Sequence, residues 1–140
     1  MPASNGAHQE HSDPHAFLPL TPAVFHILLA LADGERHGYS IMREVEAYTN
    51  GQLKLGATTL YRSIRQMLAS GLIVESDERP DPALDDERRR YYRLSGLGRQ
   101  VALAEMQRLD RLMAVARDKR VSLSQAAPGM NAGLTLGGLS

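Results

Sequence analysis

The chain has 140 residues, with 16 acidic side chains balancing 16 basic ones, and no cysteine. That length fits one compact domain with tails. The absence of cysteine excludes a disulfide scaffold, a thiolate zinc site and a cysteine nucleophile, while zero net charge neither favours nor excludes a nucleic-acid partner.

No apolar run approaches the roughly 20 residues needed to span a bilayer. The N-terminus has no basic segment followed by an apolar core, so no signal peptide is read. A soluble, cytoplasmic protein without membrane contact is expected. Nearly all the basic residues are arginines, Lys54 and Lys119 being the exceptions. Arginine is the better residue for forked contacts with phosphate and guanine.

Residues 1–16 are polar and aperiodic and read as a disordered arm. His8, His11 and His15 have helical spacing, but Pro14 and the Ser, Asp and Gly around them oppose a helix. A solvated tail with no metal is expected. Thr21-Pro22 has the form of a helix N-cap followed by proline in the first turn. Val24, Ile27, Leu28 and Leu31 then form a core stripe up to Gly34, with His26 inside it as a partly buried or surface histidine. Glu35 to Gly38 reads as a turn. A second helix, about Tyr39 to Tyr48, faces the core with Ile41, Met42 and Val45, and Asn50-Gly51 stops it.

After a linker at Gln52 to Leu55, a third helix runs from about Ala57 to Ser70. Leu60, Ile64, Met67 and Leu68 make one apolar face. Thr58, Arg62, Arg65, Gln66 and Ala69 lie opposite. Gly71 suits a left-handed C-terminal cap. Leu72 to Glu78 and Arg89 to Ser95 form a β-hairpin, joined by a loop with two prolines and four acids. Alternation puts Tyr92 and Leu94 on one face and Tyr91 and Arg93 on the other. Leu97 to about Arg120 is helical again. Ala102, Met106, Leu109, Met113 and Ala116 form a heptad-like seam, flanked by Val101, Leu103 and Leu112. The surplus apolar surface points to a homodimer. Residues 121–140 read as a flexible tail.

The fold expected is mainly α with a small β-hairpin: an arm (1–16), a winged helix-turn-helix domain (17–95), a long C-terminal dimerisation helix (96–120) and a tail (121–140). Such a domain offers its third helix to a DNA major groove and its hairpin loop to the backbone or minor groove. Thr58 and Thr59 suit phosphate at a helix N-terminus. Arg62 and Arg65 suit guanine edges and Gln66 adenine. Tyr39 and Ser40 are further phosphate candidates, and Arg88 and Arg89 flank the wing loop. Arg90 and Arg93 either touch DNA or pair with Glu75, Asp77 or Glu78 across the hairpin.

HGYSIMREVE at 37–46, TTLYRSIRQMLASGLI at 58–73 and RRRYYRLSGLGR at 88–99 resemble the three signature blocks of the PadR family of transcriptional regulators. The likeness covers about residues 20–118 and is closest to the smaller subclass with a single C-terminal dimerisation helix. It implies a dimeric repressor of nearby genes that binds a double-stranded operator and responds to a small-molecule effector. It also implies that the Tyr61 hydroxyl meets the DNA backbone. Thr58 stands where glycine is usual and Arg62 where many members have proline, which leaves the operator open. Ser95 replaces a commoner threonine and caps equally well. An effector pocket near Phe25, Tyr48, Met106 or Met113 competes with a plainer reading of those residues as core.

An enzyme is not expected, because no phosphate loop, nucleophile elbow or metal cluster is present, and no cofactor is implied. The competing function is a winged-helix protein–protein adaptor without specific DNA binding, which zero net charge permits.

Overall fold

The computed structural model describes residues 12–76 and 90–125. The wing loop with Arg88 and Arg89, residues 1–11 and residues 126–140 lie outside the described residues. The chain divides into two compact units, the first ending at Glu105 and the second starting at Met106.

The first unit begins with a short 3-10 turn, Pro14–Phe17, whose leading amide is held by Asp13 (His15 N–H to Oδ1, 3.0 Å). That turn overlaps the end of the stretch (1–16) expected to be a disordered or weakly ordered arm. Helix α1 is Pro22–Ala30, and Thr21 caps it as expected, its Oγ1 accepting the Val24 N–H at 3.3 Å. Strand β1, Arg36–His37, leads directly into helix α2, Gly38–Tyr48. Residue types at Glu35 to Gly38 predict a turn. Two residues carry no period, and it is pairing with a distant strand that makes them β.

Helix α2 ends on Asn50 (φ 55°) and Gly51 (φ 76°), where Gly51 N–H returns to the Glu46 carbonyl at 2.8 Å. Helix α3, Ala57–Ala69, ends in the same way: Gly71 takes φ 81° and Leu72 N–H reaches the Met67 carbonyl at 2.9 Å. Both are left-handed stops that satisfy the last carbonyls of a helix.

Strands β2 (Ile73–Glu75) and β3 (Tyr91–Leu94) pair antiparallel, Ile73 facing Leu94 and Glu75 facing Tyr92. Strand β1 joins the other edge of β3, with His37 opposite Tyr91. Among the described residues this is a three-stranded sheet in the order β1-β3-β2. The alternation read from the sequence holds: Tyr92 and Leu94 are buried, Tyr91 is half-buried and Arg93 is exposed.

The core joins Ile27, Leu28 and Leu31 to Ile41 and Val45 of α2 and to Leu60, Ile64 and Met67 of α3. Ile73, Tyr92 and Leu94 close it from the sheet, and Val101 closes it from helix α4, Gly96–Asp118. Burying each large aliphatic side chain stabilises the fold by about 1.5–3 kcal/mol. Ser95 seats α4: its Oγ accepts the Gly98 N–H at 2.9 Å and donates to the Gly71 carbonyl at 2.6 Å.

Among its described residues the second unit holds the remainder of α4 and helix α5, Arg120–Ser124. Val121 to Ser124 therefore extend the helical structure beyond the boundary expected at residue 120. Met106, Leu112, Met113, Val115, Val121 and Leu123 are exposed.

Candidate nucleic-acid interface

Helix α3 separates its two faces by the 3.6-residue period. Leu60, Tyr61, Ser63, Ile64 and Met67 are buried, whereas Thr58, Thr59, Arg62, Arg65 and Gln66 are all exposed. Leu68, expected in the stripe, is only half-buried at its edge. The N-cap is Gly56, which supplies no side-chain hydrogen bond to the first turn. The amides beside Thr58 and Thr59 thus carry the positive end of the helix dipole without a capping oxygen. Arg62 is exposed and, among the described residues, forms no ion pair.

Tyr61 departs from the sequence expectation. The resemblance puts its hydroxyl at the DNA backbone; the residue is 8% exposed and lies on the core side. Its ring abuts Gly38, the first residue of α2, where a Cβ would come within 2.8 Å of Cε1 and Cζ. Periodicity leaves Tyr61 at the border between faces, and the missing side chain at Gly38 decides which way it goes.

The start of α2 lies against α3 through that contact. Tyr39 is 49% exposed there. Ser40 is half-buried, and its hydroxyl accepts a hydrogen bond from Arg36 Nη1 at 3.4 Å. Arg36, unmarked in the sequence, ties the region together: Nε donates to the Ala30 carbonyl at 2.8 Å, and Nη2 lies 3.4 Å from Glu44 and 3.5 Å from Asp33. His37 is the helix cap. Its Nδ1 accepts the Ser40 N–H at 3.1 Å, which requires that nitrogen to be unprotonated. Histidine is not among the usual capping residues, so residue type alone does not mark this cap. The His37 ring also meets Tyr91 of β3 edge-on at 5.4 Å and stacks near Tyr39 at 6.5 Å.

At the base of the wing, Arg90 Nε lies 3.7 Å from Glu75 Oε2, the cross-hairpin pair foreseen as one alternative. Arg93 is exposed opposite Val74. Arg88 and Arg89 fall outside the described residues, as do Asp77 and Glu78.

Along α4, Met106 and Met113 of the seam are 44% and 48% exposed, while Ala102, Leu109 and Ala116 are half-buried. Of the flanking residues, Leu103 and Leu112 are exposed, but Val101 belongs to the first unit's core. His26 stacks on Tyr48, whose hydroxyl donates to the His26 carbonyl at 2.8 Å, so both tie α1 to α2. Among the described residues no group of acidic or histidine side chains has metal-site geometry. No helix among them is long and apolar enough to cross a membrane.

Comparison with known proteins agrees with this architecture. The sequence profile of the transcriptional regulator PadR-like family matches residues 27–104. A transcriptional regulator from Clostridium thermocellum is 22% identical, covers 69% of this chain and 87% of its own, and superposes with a TM-score of 0.59. The putative transcriptional regulator TA0346 from Thermoplasma acidophilum is 17% identical over 75% of this chain and 93% of its own, with a TM-score of 0.57. RosR (vng0258) of H. salinarum, in the complex structure of hsRosR-S4, is 22% identical over 80% of this chain and 100% of its own, with a TM-score of 0.55. At these identities the likenesses concern the fold. No curated protein is similar enough in sequence to match. The family profile spans more than half of the chain and belongs to regulators of transcription rather than to enzymes. The chain belongs to the PadR-like family of transcriptional regulators.

Proposed function

We propose that the protein is a dimeric, sequence-specific DNA-binding repressor that reads a pseudo-palindromic operator and responds to a small-molecule effector. One observation carries the reading. The exposed face of α3 gathers Thr58, Thr59, Arg62, Arg65 and Gln66, while its other face is locked into the core. Hydroxyls beside an open helix N-terminus suit phosphate. Two arginines and a glutamine on successive turns suit guanine and adenine edges in the major groove. Tyr39 and Ser40 add phosphate contacts from α2, and Arg88 and Arg89 add them from the wing.

The dimer is supported by the exposed methionines of α4, Met106 and Met113, in register with Ala102, Leu109 and Ala116. A two-fold axis would set equal half-sites about 34 Å apart, one turn of the duplex. Repression and the effector are what the resemblance to the PadR family implies, and the behaviour of the operator complex with candidate ligands tests them.

Alanine at Arg62 or Arg65 tests the reading directly. Each substitution costs roughly 1–3 kcal/mol of operator affinity at fixed salt and relaxes the base preference at its own position. Unchanged affinity in both variants would remove α3 as the reading element. A folded dimer with no affinity for any duplex at low salt would leave the adaptor function.

A further inference from the structure

Beside α2 lies an open cleft of about 460 Å³, lined by Arg36, His37, Tyr39, Ser40, Arg43 and Glu44. Its two arginines are in opposite electrostatic situations. Arg36 is neutralised by Glu44 and Asp33 and spends its Nε on the Ala30 carbonyl. Arg43 is exposed and, among the described residues, forms no ion pair. Its guanidinium carbon stands 5.7 Å from the centre of the Tyr39 ring. Tyr39 and Arg43 are one helical turn apart, the spacing at which side chains on a helix meet. The ring face attracts the cation, while the in-plane N–H donors remain able to form a fork.

The position of this pair matters. Gly38 lies against Tyr61. Tyr39 follows Gly38 in the first turn of α2, so the cleft opens from the end of α2 that packs on α3. At the start of α2 the Ser40 N–H is already taken by His37 Nδ1.

We infer that Arg43, held over Tyr39, is a clamp for a duplex phosphate that fixes the seating of α3 without reading bases. The inference rests on the DNA-binding function proposed above and adds to it a residue with a positioning role. A preformed cation–ring pair loses less side-chain freedom on binding than a free arginine. Its contact is to phosphate, so it contributes affinity and salt dependence rather than sequence preference.

Binding of the wild type, Arg43→Gln, Arg43→Lys and Tyr39→Leu to a selected operator and to a scrambled duplex of equal length, across a salt series, tests it. Arg43→Gln should reduce the slope of log affinity against log salt by about 0.9 per protomer bound. It should also weaken both duplexes by the same factor, about threefold or more at low salt. Arg43→Lys should restore the slope but not the full affinity. Tyr39→Leu should weaken binding less when Arg43 is already Gln than in the wild type. A wild type that binds while Arg43→Gln leaves slope and affinity unmoved overturns the clamp alone. Loss confined to the operator, with the scrambled duplex unaffected, also overturns it, since that is base reading. A wild type that binds no duplex overturns the DNA-binding function and the clamp together.

Discussion

Gly38 gives Tyr61 the space it occupies: a Cβ on the first residue of α2 would stand 2.8 Å from two atoms of the Tyr61 ring. This contact sets how closely the second and third helices approach. Gly38→Ala should therefore cost about 1–3 kcal/mol of stability through overpacking. With Tyr61→Leu in the same chain the cost should shrink. Urea unfolding of both single variants and the double variant measures the coupling, and additive losses would show that the contact is unimportant.

Ser95 closes the junction between the sheet and α4, accepting from Gly98 N–H and donating to the Gly71 and Leu72 carbonyls. Ser95→Ala removes an N-cap and leaves the Gly71 carbonyl short of a donor, whereas the Leu72 carbonyl keeps the Ser95 N–H at 3.1 Å. A loss of roughly 1–2 kcal/mol is expected, with Ser95→Thr recovering most of it. Equal midpoints for Ser95→Ala and the wild type would contradict the assignment.

Tyr48 supplies a pH dependence. Burial, and then the nearby Glu44 carboxylate, push its hydroxyl up to about 12. The neutral form is the one favoured in the folded protein, where it donates to the His26 carbonyl. An unfolded tyrosine titrates near 10. The Tyr48 contribution is thus complete below about pH 10 and is lost as pH rises through about 12. The stability gap between the wild type and Tyr48→Phe should be constant from pH 7 to about 9.5 and narrow above that. A gap that widens with alkali would contradict it.

Much of this fold was legible because its signals are local. Thr21 and Ser95 precede helices and cap them, Asn50-Gly51 and Gly71 stop them, and Tyr92 and Leu94 alternate with Tyr91 and Arg93 as a half-buried strand must. The polar face of α3 followed from period alone. What was missed depends on contacts between distant residues. Arg36 and His37 became a strand only by pairing with Tyr92 and Tyr91. Arg36 became a tie because Ala30, Asp33 and Glu44 converge on it, and Tyr61 turned inward because Gly38 left room. A histidine cap has no distinctive sequence signal, since it depends on which ring nitrogen carries the proton.

The α4 seam makes its own prediction. Met106→Glu with Met113→Glu places charge on the exposed apolar face and should shift the protein to monomer in sedimentation at micromolar concentration. The first unit should unfold at an unchanged midpoint. A variant that sediments as the wild type does would remove this face from the dimer interface.

Selection of bound duplexes from a random pool, followed by footprinting of the winner, tests the central claim most directly. The account predicts a pseudo-palindrome with half-sites about 34 Å apart, and loss of the preference at one symmetric pair of positions when Arg62 is replaced by Ala. Failure to enrich any sequence, from a protein that is folded and dimeric at low salt, would contradict it.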